Sequence, residues 1–231
     1  MMDGREADDI AFVKEAFASL GTRRILLPAL LLALLLAFGD IAIASSLPTA
    51  QDPDHLPYLL VFLLLLLGVV AFSVAILRML VGSARPPWQP DSSLGLYGLA
   101  FVASVAIGLS ADMVVGGRED LVGGLAGGVL ATVVRAPLAP WFVAMAVERP
   151  LAWHPGPYMR RFRAWLPSLL LWSLLIVVPL GQLHLMINRA YLSGPADWSW
   201  PVTLIEAALG AALELVALGL ASVAYRRVAR S

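Results

Sequence analysis

Apolar side chains run almost unbroken through six stretches of this chain, with the polar and charged positions gathered between them: Ile25–Leu47, Pro57–Leu80, Leu94–Val115, Leu121–Ala146, Trp165–Ile187 and Val202–Tyr225. A helix rises about 1.5 Å per residue, so roughly 20 apolar residues cover the ~30 Å of bilayer hydrocarbon. Each stretch is that long. Lipid offers the backbone no hydrogen-bond partners, which leaves helix as the conformation of every stretch. The pattern predicts an all-α fold, a polytopic transmembrane helical bundle of six spans.

The arginines and single lysine between the stretches alternate sharply from one connection to the next. Arg5, Lys14, Arg23 and Arg24 precede the first span, Arg78 and Arg85 sit at the second connection, and Arg149, Arg160, Arg161 and Arg163 at the fourth. Arg226, Arg227 and Arg230 follow the last, whereas the opposite side holds only Arg118 and Arg189. The positive-inside rule then places both termini in the cytoplasm. Residues 1–24 become a cytoplasmic amphipathic segment, 25–225 a single six-helix transmembrane domain, and 226–231 a basic cytoplasmic tail. In the leader, Ile10, Val13, Phe17 and Leu20 recur at helical spacing, with Asp9, Lys14 and Glu15 elsewhere around the helix. Such a helix lies along the cytoplasmic membrane face or packs on the bundle. Ala42-Ile43-Ala44 also matches a signal-peptide cleavage pattern, but a long n-region carrying Asp3, Glu6, Asp8, Asp9 and Glu15 argues against one.

Composition agrees with a chain solvated by lipid: 60% of its 231 residues are hydrophobic and 14% charged, with a mean hydropathy of +0.83. Zero formal net charge leaves no basic field for nucleic acid. Without cysteine there are no disulfides, no thiolate chemistry and no Cys-based metal sites. His55, His154 and His184 are not at metal-binding spacing, and no phosphate loop or HExxH pattern occurs. No metal or cofactor is expected. The preference for Arg, with abundant Ala, Leu, Gly and Pro, fits a bacterium with a GC-rich genome, and so the bacterial inner membrane.

Two aromatic groups mark the interfaces. Trp153, Tyr158, Phe162 and Trp165 alternate with Arg160, Arg161 and Arg163 before the fifth span, a lipid-interface pattern in which rings settle at headgroup depth and arginines attract anionic lipid. Tyr191, Trp198 and Trp200 form the belt on the other side.

Ionisable groups inside the spans carry the candidate chemistry, because a charge in hydrocarbon must find a partner or a watery cavity. Arg135 and Glu214 both fall near their spans' midpoints, which predicts an intramembrane ion pair. Asp40, Asp112, His184 and Glu206 lie roughly 6 to 12 Å outward of the midplane by helical rise, and together would make an acidic polar pocket able to take a proton or cation. The fourth span opens on Gly123, Gly124, Gly127 and Gly128, a small-residue face for close approach of a partner protein or a second copy. It then meets Pro137 and Pro140, which free the carbonyls of Val133 and Ala136 and kink the helix.

Arg135-x-Pro137-Leu138-x-Pro140, followed by Glu148-Arg149-Pro150-Leu151 and a basic, aromatic entry to the fifth span, resembles the YciC-like inner-membrane proteins, related to the membrane domain of some glycerophosphodiester phosphodiesterases. The start before Arg23-Arg24 and the ending Tyr225-Arg226-Arg227 extend the resemblance; the third connection, Gly116-Gly117-Arg118-Glu119-Asp120, departs from the Leu-Pro-Gly turn often found there. The resemblance implies a six-helix inner-membrane protein and no phosphodiesterase activity. Gly108-Leu109-Ser110-Ala111 with His184 imitates a rhomboid-type serine protease, but the following glycine and the span order are wrong. Three function classes remain: a non-enzymatic scaffold or accessory subunit, which the short loops and missing catalytic set favour; a small-molecule or ion-coupled transporter using Arg135, Glu214, Glu206 and Asp112; and, less favoured, a lipid-acting enzyme.

Overall fold

The computed structural model of the protein describes residues 4–46, 55–115, 121–148, 155–193 and 199–229, with backbone alone at 4–7, 44, 112, 121, 189–193 and 199. Trp153, His154, Arg118, Arg149, Trp198 and Arg230 lie outside these residues.

Ten α-helices are formed among the described residues. Helix α1 (Gly4–Leu20) precedes α2 (Arg23–Ser45), α3 (Leu56–Val81) and α4 (Ser92–Val114). The fourth span is α5 (Leu121–Arg135), one 3₁₀ turn (Ala136–Leu138) and α6 (Ala139–Val147). After the short α7 (Gly156–Arg161), the fifth span runs through α8 (Leu166–Trp172), a π segment (Ser173–Val177) and α9 (Val178–Ser193). Helix α10 (Ser199–Ala229) closes the order. Six helical stretches are long and apolar enough to cross a membrane, within a few residues of the hydropathic boundaries.

The bundle is built around α10, which packs on α1, α2, α3, α6 and α9. Fifty-six per cent of its membrane-length window is buried, against 17 to 39% for the others, so it is the axis and they are the wall. Helices α2 and α3 approach closely where two glycines receive two leucines reciprocally: Leu65 covers Gly39 and Leu35 covers Gly68. Small residues let helices approach closely where hydrocarbon provides no hydrophobic drive.

Burial is concentrated toward the end of the bundle that carries both chain termini. In α3, Val74, Ile76 and Leu77 are fully buried, while Leu59, Leu60, Leu63, Leu64 and Leu67 toward the other end are exposed, as lipid-facing side chains are. At this terminal end Gly82, at φ +72°, ends α3 in a left-handed cap. Ser83 N–H reaches back to the Arg78 carbonyl at 2.9 Å.

Helix α1 docks against α10 and α8 on a face shifted from the expected one, which keeps Val13 and Leu20. Phe12 and Ala16 are fully buried, Val13 and Leu20 pack around them, and Phe17 is 48% exposed. The register is set by polar ties as well as by apolar pattern. Trp172 Nε1 donates to the Asp9 carbonyl at 2.9 Å and Ser168 Oγ to the Asp9 carboxylate. Glu15 accepts from Arg226 at 3.2 Å and Arg227 at 3.1 Å.

Candidate functional site

The two spans that depart from regular α-helix do so around one cavity. Pro137 and Pro140 lack N–H groups, and the chain meets this by tightening Ala136–Leu138 into a 3₁₀ turn in which Ala139 N–H bonds the Ala136 carbonyl. Across from it, Ser173–Val177 widens into a π segment, a form that recurs at functional sites because the extra residue re-aims the wall. Ala136, Ser173 and Val177 all line a cavity of about 390 Å³ between α3, α4, α5–α6, α8–α9 and α10.

Its wall is divided. Toward the terminal end it is mostly apolar, with Leu77, Phe101, Phe142, Val143, Leu169 and Leu218 alongside Tyr97. Toward the other end come Ser104, Thr132, Arg135, Gln182 and His184. Glu214 lies between, its Oε1 accepting a 2.6 Å hydrogen bond from Ser73 Oγ, with Tyr97 beside Ser73. Arg135 leaves α5 in another direction and lays its guanidinium against Gly108 of α4. The two residues therefore share a cavity while reaching toward different helices.

Of the four outer-half residues, three come together from three helices. Glu206 on α10 is buried, with its Oε1 3.4 Å from His184 Nδ1 on α9 and 3.4 Å from Asn188 Nδ2. The Asp40 carboxyl on α2 neighbours both Glu206 and His184. His184 belongs both to this cluster and to the cavity wall. The Asp112 side chain lies outside the described residues. Among the described residues no group of three or more His, Cys, Asp or Glu is arranged to hold a metal ion. Ser110 is exposed and donates to the Ala106 carbonyl of its own helix at 2.8 Å.

The glycine face of α5 turns inward at two positions. Gln182 Nε2 donates to the Gly124 carbonyl at 2.7 Å, and Val178 and Gln182 cover Gly128. A Cβ on Gly124 would collide with the Gln182 amide. Gly127 is buried as well, while Gly123 is partly buried.

The terminal end is closed by a polar clasp that charge counting alone does not anticipate. Arg78 is not a solvated loop arginine but a fully buried residue in the last turn of α3. Its Nε donates to the Ala146 carbonyl at 3.1 Å, Nη1 to the Gln89 carbonyl at 2.8 Å, and Nη2 to both Asp91 oxygens at 2.9 Å and to Ser93 Oγ at 2.7 Å. Asp91 also caps α4, accepting the Ser93 N–H at 3.0 Å. Burial raises the Asp91 pKa, but the Ser93 hydrogen bonds and the charges of Arg78 and Arg85 outweigh it and hold the carboxyl below its ordinary value. Arg85 continues to the Glu148 carbonyl at 2.9 Å. The Glu148 carboxylate accepts from Tyr158 at 2.7 Å and Tyr225 at 2.5 Å, tying α7 and α10 to the end of α6.

Arg160 and Arg163 are exposed beside this clasp, and Arg161 is half-exposed, 3.9 Å from Glu148. Trp165 is partly buried: it stacks on Phe12, with centroids 6.3 Å apart, and the Arg227 guanidinium sits 4.5 Å over its ring. It thus joins α1, α8 and α10. Trp153, the other aromatic of the expected lipid interface, lies outside the described residues.

Sequence reading passes over Gln182, Ser73, Ser104, Thr132 and Ser173 on or beside the cavity. Gln182 is the one with a signal, a lone amide in an apolar span. The hydroxyls carry none, since Ser and Thr in a membrane helix ordinarily bond their own preceding turn.

Fold and cavity together define the class, an all-α protein with six helices able to span a membrane. Comparison with protein-family models, curated proteins and solved structures finds no match to the chain.

Proposed function

We propose that the protein is a small carrier of the bacterial inner membrane, multi-pass with both termini cytoplasmic, whose substrate occupies the central cavity. The observation that carries this reading is the cavity of about 390 Å³ walled by Arg135, His184 and Glu214 and bordered by the only two breaks in regular helix within the described spans. Ligand pockets typically measure about 300–1,000 Å³, and interrupted helices at mid-membrane are a recurring device of transporters. The YciC-like resemblance and the basic residues gathered at the terminal end support the orientation. Exposed Arg160 and Arg163 there would meet anionic lipid. A homo-oligomer through the glycine face is less supported, because Gly124 and Gly128 are covered from within the chain.

In this reading the terminal clasp is the inner gate and the opposite end is the open side. Asp40, Glu206 and His184 form the proton-coupling group, reaching the cavity through His184; Glu206→Gln then removes the pH dependence of transport while leaving the fold intact. The absence of native cysteine makes the principal test clean. Ser173→Cys and Thr132→Cys should react with a membrane-impermeant cationic thiol reagent, whereas lipid-facing Leu64→Cys should not. Equal protection of all three would sink the carrier reading.

A further inference from the structure

We infer that the cavity ligand is a compact amphiphilic anion, a carboxylate carried on an apolar body of roughly acyl-chain or single-ring width. The inference deepens the carrier reading and rests on it. Its basis is the segregation of the wall along the bundle axis. Phe101, Phe142, Leu169 and Leu218 make most of the terminal half apolar, Tyr97 beside Ser73 being its polar member. That half has little to offer the hydroxyls of a sugar or the two charges of a small zwitterion, and burying unsatisfied polar groups there is costly.

The donors are concentrated at the other half, where Arg135, Gln182 and His184 converge from α5 and α9. A guanidinium presents five N–H donors in a planar fork, so Arg135 serves an acceptor within the protein and a ligand carboxylate at once. The carboxamide of Gln182 is held by the Gly124 carbonyl at 2.7 Å and packs against Gly124. Head toward Arg135 and body toward Phe142 is the orientation this wall favours, with Glu214 engaged by Ser73.

The test compares four simple probes on the full-length protein in lipid discs, by isothermal titration calorimetry with empty discs subtracted: octanoate, octanol, octylammonium and acetate. Octanoate should bind at least about tenfold more tightly than octylammonium or acetate, the difference expected of one charge-assisted contact together with apolar burial. Ala217→Trp, which fills the cavity from α10, should abolish octanoate binding. Arg135→Gln should bring octanoate down to the level of octanol while leaving octanol unchanged. Octylammonium or acetate matching octanoate, on the unmutated protein, would overturn the inference, as would octanoate binding that survives Ala217→Trp. The cysteine reactivity of Ser173→Cys separates the two levels. A reactive cysteine without octanoate binding means the ligand class is wrong and the carrier stands; an unreactive one without binding removes both.

Discussion

Replacing Arg78 with Met keeps much of the side chain's length and apolar stem but deletes the charge and all its donors. The guanidinium is fully buried and its partner Asp91 is 8% exposed, so removal leaves a carboxylate in a site that excludes most water. Breaking a buried pair from one side costs about 3–5 kcal/mol, far more than the net worth of the pair, because the remaining charge is uncompensated. Arg85 lessens the loss only in part: it sits 3.5 Å from Asp91 and its other contact is the Glu148 carbonyl. The Gln89 and Ala146 carbonyls lose donors as well, at about 1–3 kcal/mol for each that water cannot reach. Together these place Arg78→Met at 3–5 kcal/mol or more below the native protein.

Arg161→Ala is the internal control. Its pair with Glu148 is long, at 3.9 Å, and half in solvent, so it should cost no more than about 0.5 kcal/mol. Both variants are read by reversible unfolding in mixed micelles with increasing SDS fraction, followed by tryptophan fluorescence. The double variant Arg78→Met/Asp91→Leu should recover stability relative to Arg78→Met alone, since no buried charge is stranded. Stability of Arg78→Met within 0.5 kcal/mol of native, or no recovery in the double variant, would refute the assignment of the clasp as a buried electrostatic lock.

Asp91→Asn keeps the cap on α4 but leaves the buried Arg78 charge without its partner, so it should cost about 3–5 kcal/mol at neutral pH. The lowered Asp91 pKa stabilises the fold above the ordinary carboxylate value, and that contribution is lost as pH falls through the lowered one, so the acid-side decline in unfolding midpoint should flatten in Asp91→Asn. Phe12→Ala empties a fully buried site between α1, Trp165 and Arg227 and should cost about 3–5 kcal/mol locally, read as faster hydrogen exchange in α1 with the spans unchanged; unaltered exchange would mean α1 is held by Glu15 and Asp9 alone. Gly39→Ala puts a Cβ against Leu65 and should destabilise by about 1–3 kcal/mol in the SDS titration, with Leu65→Ala in the same chain restoring most of it; failure of the second change to compensate would place the strain elsewhere.

The spans are legible because hydropathy is local: each stretch reports its own solvent whatever its neighbours do. Depth is legible for the same reason, since rise per residue puts Asp40, His184 and Glu206 in one layer before any packing is known. Azimuth is not. Arg135 and Glu214 sit at equal depth, yet one reaches Gly108 on α4 and the other Ser73 on α3, and only the arrangement of neighbours decides that. The same limit explains α1, whose stripe gains Phe12 and loses Phe17 because Asp9 and Glu15 are tied to α8 and α10. Arg78 reads as one more inward-side arginine, and nothing local distinguishes a guanidinium that snorkels to water from one that gathers the ends of three helices. The π segment leaves no trace in an apolar run.

That the axis of the bundle is α10 has a consequence for how the protein is made. This helix follows the other spans in the chain, so the ribosome delivers the wall before the post. Until α10 enters, Asp40 and Ser73 lack the carboxyl groups they meet in the finished protein, and α1 has no surface on which to lie. The nascent spans must wait together beside the insertion machinery with their polar groups unmatched, and a stall or truncation within α10 would release a membrane-inserted chain that cannot assemble, a ready substrate for membrane quality control.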